Sequence, residues 1–126
     1  MTTTECSILI VDDDYLIATE LSQHLAAEGF EVVGPFSHID DARRTMERKS
    51  PDCVLLDINL GGGQTSFAFA EDLESRGIPF AFVTGYNSLP NGEERFAQAK
   101  LLLKPVEPAK AAEEARRMCE SRGEPG

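Results

Sequence analysis

Five short apolar segments, separated by stretches with helical periodicity, are the feature that most limits the folds open to this chain. The segments are CSILIV (6–11), FEVV (30–33), DCVLLD (52–57), PFAFVT (79–84) and KLLLK (100–104). The first, third and fourth are continuous rather than alternating in hydrophobicity, which is typical of strands covered on both faces. Strands that alternate with helices form parallel sheets with right-handed crossovers. The pattern predicts a doubly wound α/β fold with a five-stranded parallel sheet.

Helix signals occupy the first two stretches between these segments. The first stretch has Ile17, Leu21 and Leu25 at helical spacing, and Gly29 follows as a stop. The second opens with SHID, residues 37–40, whose serine and aspartate predict a capping box. Each stretch therefore predicts one helix between two strands.

The sequence signals for the third and last helices are clearer than those for the fourth. The third has Thr65 or Ser66 as its cap and Gly77 as its stop, and the last has Pro108 in its first turn, where proline is tolerated. Between the fourth and fifth strands only residues 93–99 have helical character, so we expect the fourth of five helices to be short or mobile.

Composition limits the classes of protein further. The 126 residues suit one domain over 1–126, with a core at about 5–120 and a frayed C-terminal tail. A net charge of -10 argues against a nucleic-acid partner and favours a metal cation or a basic protein surface. No apolar run is long enough for a membrane span and no signal peptide is visible, so we expect a cytoplasmic protein without a membrane partner.

The three cysteines carry no recognisable pattern. Cys6, Cys53 and Cys119 are far apart in the sequence, and none forms a CxxC pair. The spacing therefore indicates neither a zinc site nor a disulfide framework.

Polar side chains follow four of the five predicted strands. The first strand is followed by Asp12, Asp13 and Asp14, and the third, fourth and fifth end at Asp57, Thr84 and Lys104-Pro105; only the second ends in a bland pair, Gly34-Pro35. Each residue has an ordinary explanation, and Asp13 or Asp14 is a plausible helix cap. Together they predict a site at the carboxyl edge of the sheet, where doubly wound folds bind ligands.

The composition of this predicted site favours phosphoryl chemistry. Clustered carboxylates repel one another unless a cation compensates, and hard oxygen ligands suit Mg²⁺. Asp12 and Asp13 are the better metal ligands, and the isolated Asp57 is a candidate nucleophile. The backbone carbonyl of Asn59 is placed to complete the coordination, while Thr84 and Lys104 are expected to hold phosphoryl oxygens.

Four motifs in register give this chain a family resemblance. ILIVDDD, PDCVLLDINL, FVTG and LLLKPV, over about residues 5–120, resemble the receiver domains of bacterial response regulators, which are CheY-like. The resemblance implies a flavodoxin-like (βα)5 fold with Asp57 as phosphoacceptor and metal ligand. Asp12, Asp13 and the Asn59 carbonyl match the Mg²⁺ ligands, and Thr84 and Lys104 match the residues that bind the phosphoryl group. The Lys104-Pro105 bond is then a candidate for cis geometry.

The resemblance also implies a mode of action. A histidine kinase or phosphotransfer protein gives its phosphoryl group to such a domain in a two-component phosphorelay. A chain of this size would then signal by protein contact or act as a phosphoryl sink. On this reading it is not an enzyme beyond its own phosphotransfer and autodephosphorylation.

Two positions depart from the common receiver pattern. Leu101 stands three residues before the lysine, where many receivers have a switch aromatic residue. The stretch PFAFVTGYN resembles the stand-alone FATGUY receivers, which lack that aromatic, although Val83 replaces an alanine and Tyr86 directly follows the glycine. Tyr86 is accordingly predicted to modulate hydrolysis of the phosphorylated form.

Two alternatives remain open from the residues alone. One is a haloacid-dehalogenase-type phosphatase, whose D-x-D motif would be Asp12 and Asp14 with Asp12 as nucleophile, but this leaves Asp57 unexplained. The other is a receiver-like module that binds partners without phosphorylation.

Overall fold

Five parallel strands form one sheet that is covered by helices on both faces. A computed structural model describes residues 6–60, 65–85, 96 and 99–123 of this chain. The strands are β1 (Ser7–Val11), β2 (Glu31–Phe36), β3 (Cys53–Asp57), β4 (Phe80–Thr84) and β5 (Lys100–Leu103). The helices in this part of the chain are α1 (Tyr15–Ala27), α2 (Ile39–Arg48), α3 (Phe67–Ser75) and α4 (Pro108–Gly123).

The strand order places a ligand crevice at a definite edge. The order is β2-β1-β3-β4-β5, and all four pairings are parallel. The chain leaves β1 for β2 on one side and then returns to β3 on the other, so the winding direction reverses between β1 and β3. Crevices that bind ligands form at the carboxyl ends of strands at such a switch point. The predicted doubly wound, flavodoxin-like fold is confirmed.

The central strand β1 divides the core into two parts. All five of its residues are buried. Ile8 and Ile10 belong to a cluster shared with α1 and α4, whereas Leu9 and Val11 belong to a cluster shared with α2 and α3. This alternation follows from the two-residue period of a strand. It explains why β1 is apolar from Ile8 to Val11, since both faces of the strand are covered.

Several helix ends follow the predicted signals. Asp14 caps α1, because its Oδ1 accepts a hydrogen bond from the Ile17 amide at 3.2 Å. Gly29 and Gly77 have φ angles of +102° and +72° directly after α1 and α3, a conformation that glycine adopts without steric cost. The last helix begins at Pro108, as the sequence predicts.

Two local predictions were wrong at the second strand and helix. The residue before α2 is His38, whose side chain makes no capping bond, and the hydroxyl of Ser37 instead lies 3.0 Å from the His38 ring nitrogen Nδ1. The Ser37–Asp40 capping box is therefore not formed. The Gly34-Pro35 pair does not end β2, which continues through Phe36 to a backbone bond with Asp12. Proline is tolerated there because β2 is an edge strand.

The expectation that no disulfide is present was also wrong. Cys6 and Cys119, which are 113 residues apart, are joined by a disulfide between the start of β1 and the last helix. The predicted cis bond at Lys104-Pro105 is confirmed, and Gly34-Pro35 is also cis. Most of the predicted fourth helix, residues 93–99, lies outside the described residues. Among the helices of the described part, none is both long and apolar enough to cross a membrane.

Candidate functional site

The carboxyl edge of the sheet collects buried polar side chains from four strands. Asp12 directly follows β1, Asp57 is the last residue of β3, Thr84 ends β4 and Lys104 follows β5. Asp12, Asp57 and Thr84 are only 5%, 2% and 2% exposed. Buried polar groups are costly unless they are satisfied by partners. Their shared position indicates a built site rather than a set of solvated strand ends.

Lys104 connects two of the acids. Its Nζ donates to Oδ2 of Asp57 at 2.9 Å and lies 3.8 Å from Oδ1 of Asp12. The amide of Lys104 also donates to the carbonyl of Thr84 at 2.8 Å, which fixes the start of the lysine side chain beside the end of β4. The lysine is therefore held over both buried carboxylates by its own backbone.

Three carboxylates converge next to this ion pair. Oxygen atoms of Asp12, Asp13 and Asp57 all lie within 4.8 Å of one another. The Asp14 amide donates to Oδ1 of Asp12 at 2.9 Å, which helps to orient that carboxylate. Carboxylate oxygens are the hard donors that Mg²⁺ prefers, and one exposed member, Asp13, leaves the group open on one side. The donor set fits Mg²⁺.

Asp14 does not belong to this group of carboxylates. Its side chain caps α1, as described above. The D-x-D spacing of Asp12 and Asp14 is thus divided between a site residue and a helix cap. The phosphatase alternative loses the pair of acids on which it depended.

The pKa values of Asp57 and Lys104 both differ from ordinary values. Burial, together with the charge of Asp12, raises the pKa of Asp57 from 3.8 to about 7, although the hydrogen bond from Lys104 acts in the opposite direction. Burial lowers the pKa of Lys104, but the hydrogen bond to Asp57 and the neighbouring negative charges outweigh it, so the net change is upward. Burial dominates the pKa of Asp57, whose side chain is 3% exposed. The neighbouring charges dominate the pKa of Lys104, whose side chain is 28% exposed.

The remaining predicted residues are placed unequally well. Asn59 lies two residues beyond Asp57 and forms an isolated antiparallel bridge with Thr65, so the chain stays close to the end of β3. Leu101 pairs with Phe82 in register and packs, half-buried, against the cluster on the α2 and α3 side. Tyr86 lies outside the described residues. The roles predicted for Asn59, Leu101 and Tyr86 stay predictions.

Two exposed apolar side chains beside the site were not singled out from the sequence. Tyr15 and Leu16 begin α1, directly after the three acids, and are 72% and 75% exposed. The sequence signal that could have identified them is their position outside the apolar face of the helix, which begins at Ile17 and includes the buried Leu21 and Leu25. These two residues, an exposed apolar patch at the start of α1, directly follow the acids in the chain.

Comparisons with known proteins agree with this geometry. A model described as "Response regulator receiver domain" matches residues 8–116. The phyllosphere-induced regulator PhyR of Methylorubrum extorquens is 32% identical over 104 residues, which are 81% of this chain and 39% of PhyR. The chain therefore spans about two fifths of the length of this curated relative.

Solved structures match over nearly their whole length. The solution structure of SdrG from Sphingomonas melonis Fr1 is 33% identical, with a TM-score of 0.76, and the match covers 94% of this chain and 99% of SdrG. A CheY-like receiver domain from Methanospirillum hungatei JF-1 is 29% identical, with a TM-score of 0.79 and coverage of 94% and 97%. The fold, the order of the site residues and the match over residues 8–116 lead to one conclusion: this chain belongs to the family of response regulator receiver domains of two-component systems.

Proposed function

We propose that this receiver domain accepts a phosphoryl group on Asp57 in a reaction that requires Mg²⁺. The observation that carries the proposal is the ammonium of Lys104, 2.9 Å from Asp57 and beside the carboxylates of Asp12 and Asp13. This arrangement offers a nucleophilic oxygen, ligands for a divalent cation and a cation for the phosphoryl oxygens at one edge of the sheet.

Each residue has a separate part in the proposed transfer. A carboxylate oxygen of Asp57 attacks phosphorus, the bond from phosphorus to the histidine nitrogen of the donor breaks, and the imidazole keeps the electron pair. Asp12, Asp13, Asp57 and the carbonyl of Asn59 would hold Mg²⁺, which supplies charge neutralisation for the phosphoryl oxygens. Lys104 and the hydroxyl of Thr84 then bind oxygens of the transferred group.

The raised pKa of Asp57 means that positive charge beside it would increase the fraction of the ionised carboxylate. With a pKa of about 7, a large fraction of Asp57 is protonated near neutral pH, and a protonated carboxyl is a poor nucleophile. Positive charge next to Asp57 favours its ionised form. Mg²⁺ held by Asp12 and Asp13, together with Lys104, would therefore favour the ionised, nucleophilic form of Asp57.

The proposed partners follow from this chemistry. The donor is a phosphohistidine on a histidine kinase or phosphotransfer protein. The output is a protein contact that depends on phosphorylation, or simple competition for phosphoryl groups. In this proposal the domain catalyses only its own phosphorylation and dephosphorylation, and it acts in the cytoplasm. Membership in the FATGUY group, suggested by PFAFVTGYN, remains a prediction.

A phosphorylation assay with matched variants tests the proposal. The purified chain is treated with a phosphohistidine donor or acetyl phosphate, with and without Mg²⁺, and its intact mass is measured. We expect one hydroxylamine-labile phosphoryl group on the unmodified chain and on Asp14→Asn, which keeps the helix cap, and none on Asp57→Asn.

Other outcomes separate the alternatives. Full labelling of Asp57→Asn would overturn the assignment, and loss of labelling only in Asp12→Asn would favour the phosphatase reading. No labelling of the unmodified chain by either donor would favour a module that works without phosphorylation.

A further inference from the structure

The three cysteines meet at the opposite edge of the sheet from the acidic site. Cys6 directly precedes β1, Cys53 is the first residue of β3, and Cys119 lies near the end of α4. Their three sulfur atoms all lie within 4.8 Å of one another. Packing of the last helix against the amino ends of two central strands therefore brings together thiols that are 47 and 66 residues apart in the chain.

This cysteine cluster is distinct from the acidic site. Cys6 and Asp12 stand at the two ends of β1, so five extended residues separate them. At about 3.3 Å per residue, the strand sets the two groups on the order of 17 Å apart. The cysteine cluster is therefore too far from Asp57 to contact a phosphoryl group there.

The surroundings of the cluster are apolar. Cys6 and Cys53 are buried, 6% and 0% exposed, within the part of the core that faces α1 and α4. Cys119 is half-buried at the edge of the same cluster, which gives solvent access from the side of the last helix. Within the described part of the chain, the metal-ligating group at this position consists of these three sulfurs alone.

The spacing of the sulfurs suits a three-coordinate metal. In this structure Cys6 and Cys119 form a disulfide with a Cα–Cα distance of 6.1 Å, and Sγ of Cys53 lies 3.9 Å from Sγ of Cys119. A metal–sulfur bond of about 2.3 Å in a trigonal arrangement sets its sulfurs about 4 Å apart. The distance between Cys53 and Cys119 already matches that value. Opening of the disulfide would release the third sulfur beside them.

The chemistry of the donor set selects the metal. Soft thiolates favour Cu(I) and Zn²⁺ among the common ions. Zn²⁺ takes four ligands, so at this three-sulfur site it would need a water molecule from the open side at Cys119 as the fourth. Cu(I) accepts three sulfur ligands. We propose that the reduced cysteine cluster binds one Cu(I) ion through Cys6, Cys53 and Cys119, and that the Cys6–Cys119 disulfide excludes the ion.

Reduction of the disulfide precedes copper binding. A thiol reductant gives two electrons and two protons to the disulfide and is itself oxidised, which leaves Cys6 and Cys119 as thiols. Binding of Cu(I) leaves copper and sulfur in their oxidation states, and the protons of the coordinating thiols pass to solvent. Copper binding is therefore expected to strengthen as pH rises.

A competition titration with Cu(I) tests the proposal. The full chain is reduced, kept anaerobic and titrated with Cu(I) against a chromophoric copper chelator. We expect one copper per chain with thiolate-to-copper absorption in the ultraviolet, and affinity at least tenfold weaker for Cys53→Ala. The oxidised chain should bind no copper. Asp57→Asn, which alters only the acidic site, should bind as the unmodified chain does. Equal affinity for Cys53→Ala and the unmodified chain would overturn the proposal.

A second measurement does not depend on the stability of the variant. The reduced, unmodified chain is loaded with one equivalent of Cu(I), and X-ray absorption at the copper edge counts the sulfur ligands. Three sulfur neighbours at about 2.3 Å support the three-sulfur site. Two or fewer sulfur neighbours overturn it, whatever the variants do.

Discussion

The ammonium of Lys104 lies 2.9 Å from Oδ2 of Asp57, so a lysine pairs directly with the proposed phosphoacceptor. The same ammonium lies 3.8 Å from Asp12. A divalent cation at these acids would share their oxygens with this positive charge. We therefore expect Lys104 and Mg²⁺ to compete for the carboxylates before phosphorylation and both to bind phosphoryl oxygens afterwards.

Removal of the lysine charge is expected to raise the affinity for Mg²⁺. Lys104→Met should bind Mg²⁺ about five- to thirtyfold more tightly, because it removes a cation that lies 2.9 and 3.8 Å from two of the proposed ligand carboxylates, whose repulsion of the metal amounts to about 1 to 2 kcal/mol after screening. Isothermal calorimetry measures the effect. Lys100→Met removes an exposed lysine from the same strand and is the control. An equal gain in both variants would contradict local competition.

The stability of the metal-free domain should fall as pH rises toward 7. The fold raises the pKa of Asp57 from 3.8 to about 7, so the folded state binds the proton more tightly than the unfolded state does. The stabilisation from this group is complete below about pH 4 and is lost as pH passes through about 7. We expect a loss of at least about 1 kcal/mol in urea unfolding, and a smaller loss with Mg²⁺.

The matched variant for this pH dependence is Asp57→Asn. Its amide does not titrate, so its unfolding free energy should lack this component and exceed that of the unmodified chain at pH 7.5. Parallel pH profiles for the two chains would show that Asp57 does not have the raised pKa.

Two neighbouring acids should give opposite results when each is replaced by alanine. Asp13→Ala removes a carboxylate of the acid cluster and should weaken Mg²⁺ binding at least fivefold with little change in stability. Asp14→Ala removes the cap of α1 and should cost about 1 kcal/mol of unfolding free energy while Mg²⁺ affinity is kept. Calorimetry and urea unfolding on both variants provide the comparison. Weaker Mg²⁺ binding by Asp14→Ala alone would reverse the assignment.

The apolar patch of Tyr15 and Leu16 is expected to contact a protein phosphodonor. Leu16→Ser should slow phosphorylation by a phosphohistidine protein several-fold and leave the rate with acetyl phosphate unchanged, because only the protein donor is large enough to cover the patch. Leu103→Ser, at another exposed apolar position, is the control. Equal slowing with both donors would indicate damage to the site instead.

Tyr86→Ala is expected to shorten the lifetime of phosphorylated Asp57. Tyr86 follows Thr84 by two residues, and a large ring there is predicted to hinder the attacking water. Decay of the acyl phosphate, followed by intact mass, measures the rate, and Tyr15→Ala is the matched loss of a tyrosine. An unchanged lifetime would assign Tyr86 to packing of its loop.

The sequence predicted the acidic site better than its local details. Continuous apolar runs located β1, β3 and β4 to within one residue. Because the strands are parallel, the polar residues at the carboxyl ends of these runs all lie at the same edge of the sheet. The end of β2 was misplaced because Gly34-Pro35 reads as a turn, whereas an edge strand tolerates proline. The capping box failed because Ser37 found a partner in the adjacent His38 ring.

Features that depend on long-range packing were not accessible from the sequence. The raised pKa of Asp57 results from the burial of its side chain. The spacing of residues in the sequence does not predict that burial. The cysteine cluster depends on how α4 crosses the amino ends of β1 and β3, and the Cys6–Cys119 pair is separated by 113 residues. Residue patterns within a short stretch of sequence do not predict contact between residues so far apart.

The position of β1 has a mechanical consequence. This strand is paired on both edges and covered on both faces, so its neighbours restrict its bending. Close-packed interiors transmit strain. A shift imposed at Cys6 is therefore expected to displace Asp12, a proposed metal ligand. The central strand of the fold therefore connects the cysteine cluster at one end with the acidic site at the other.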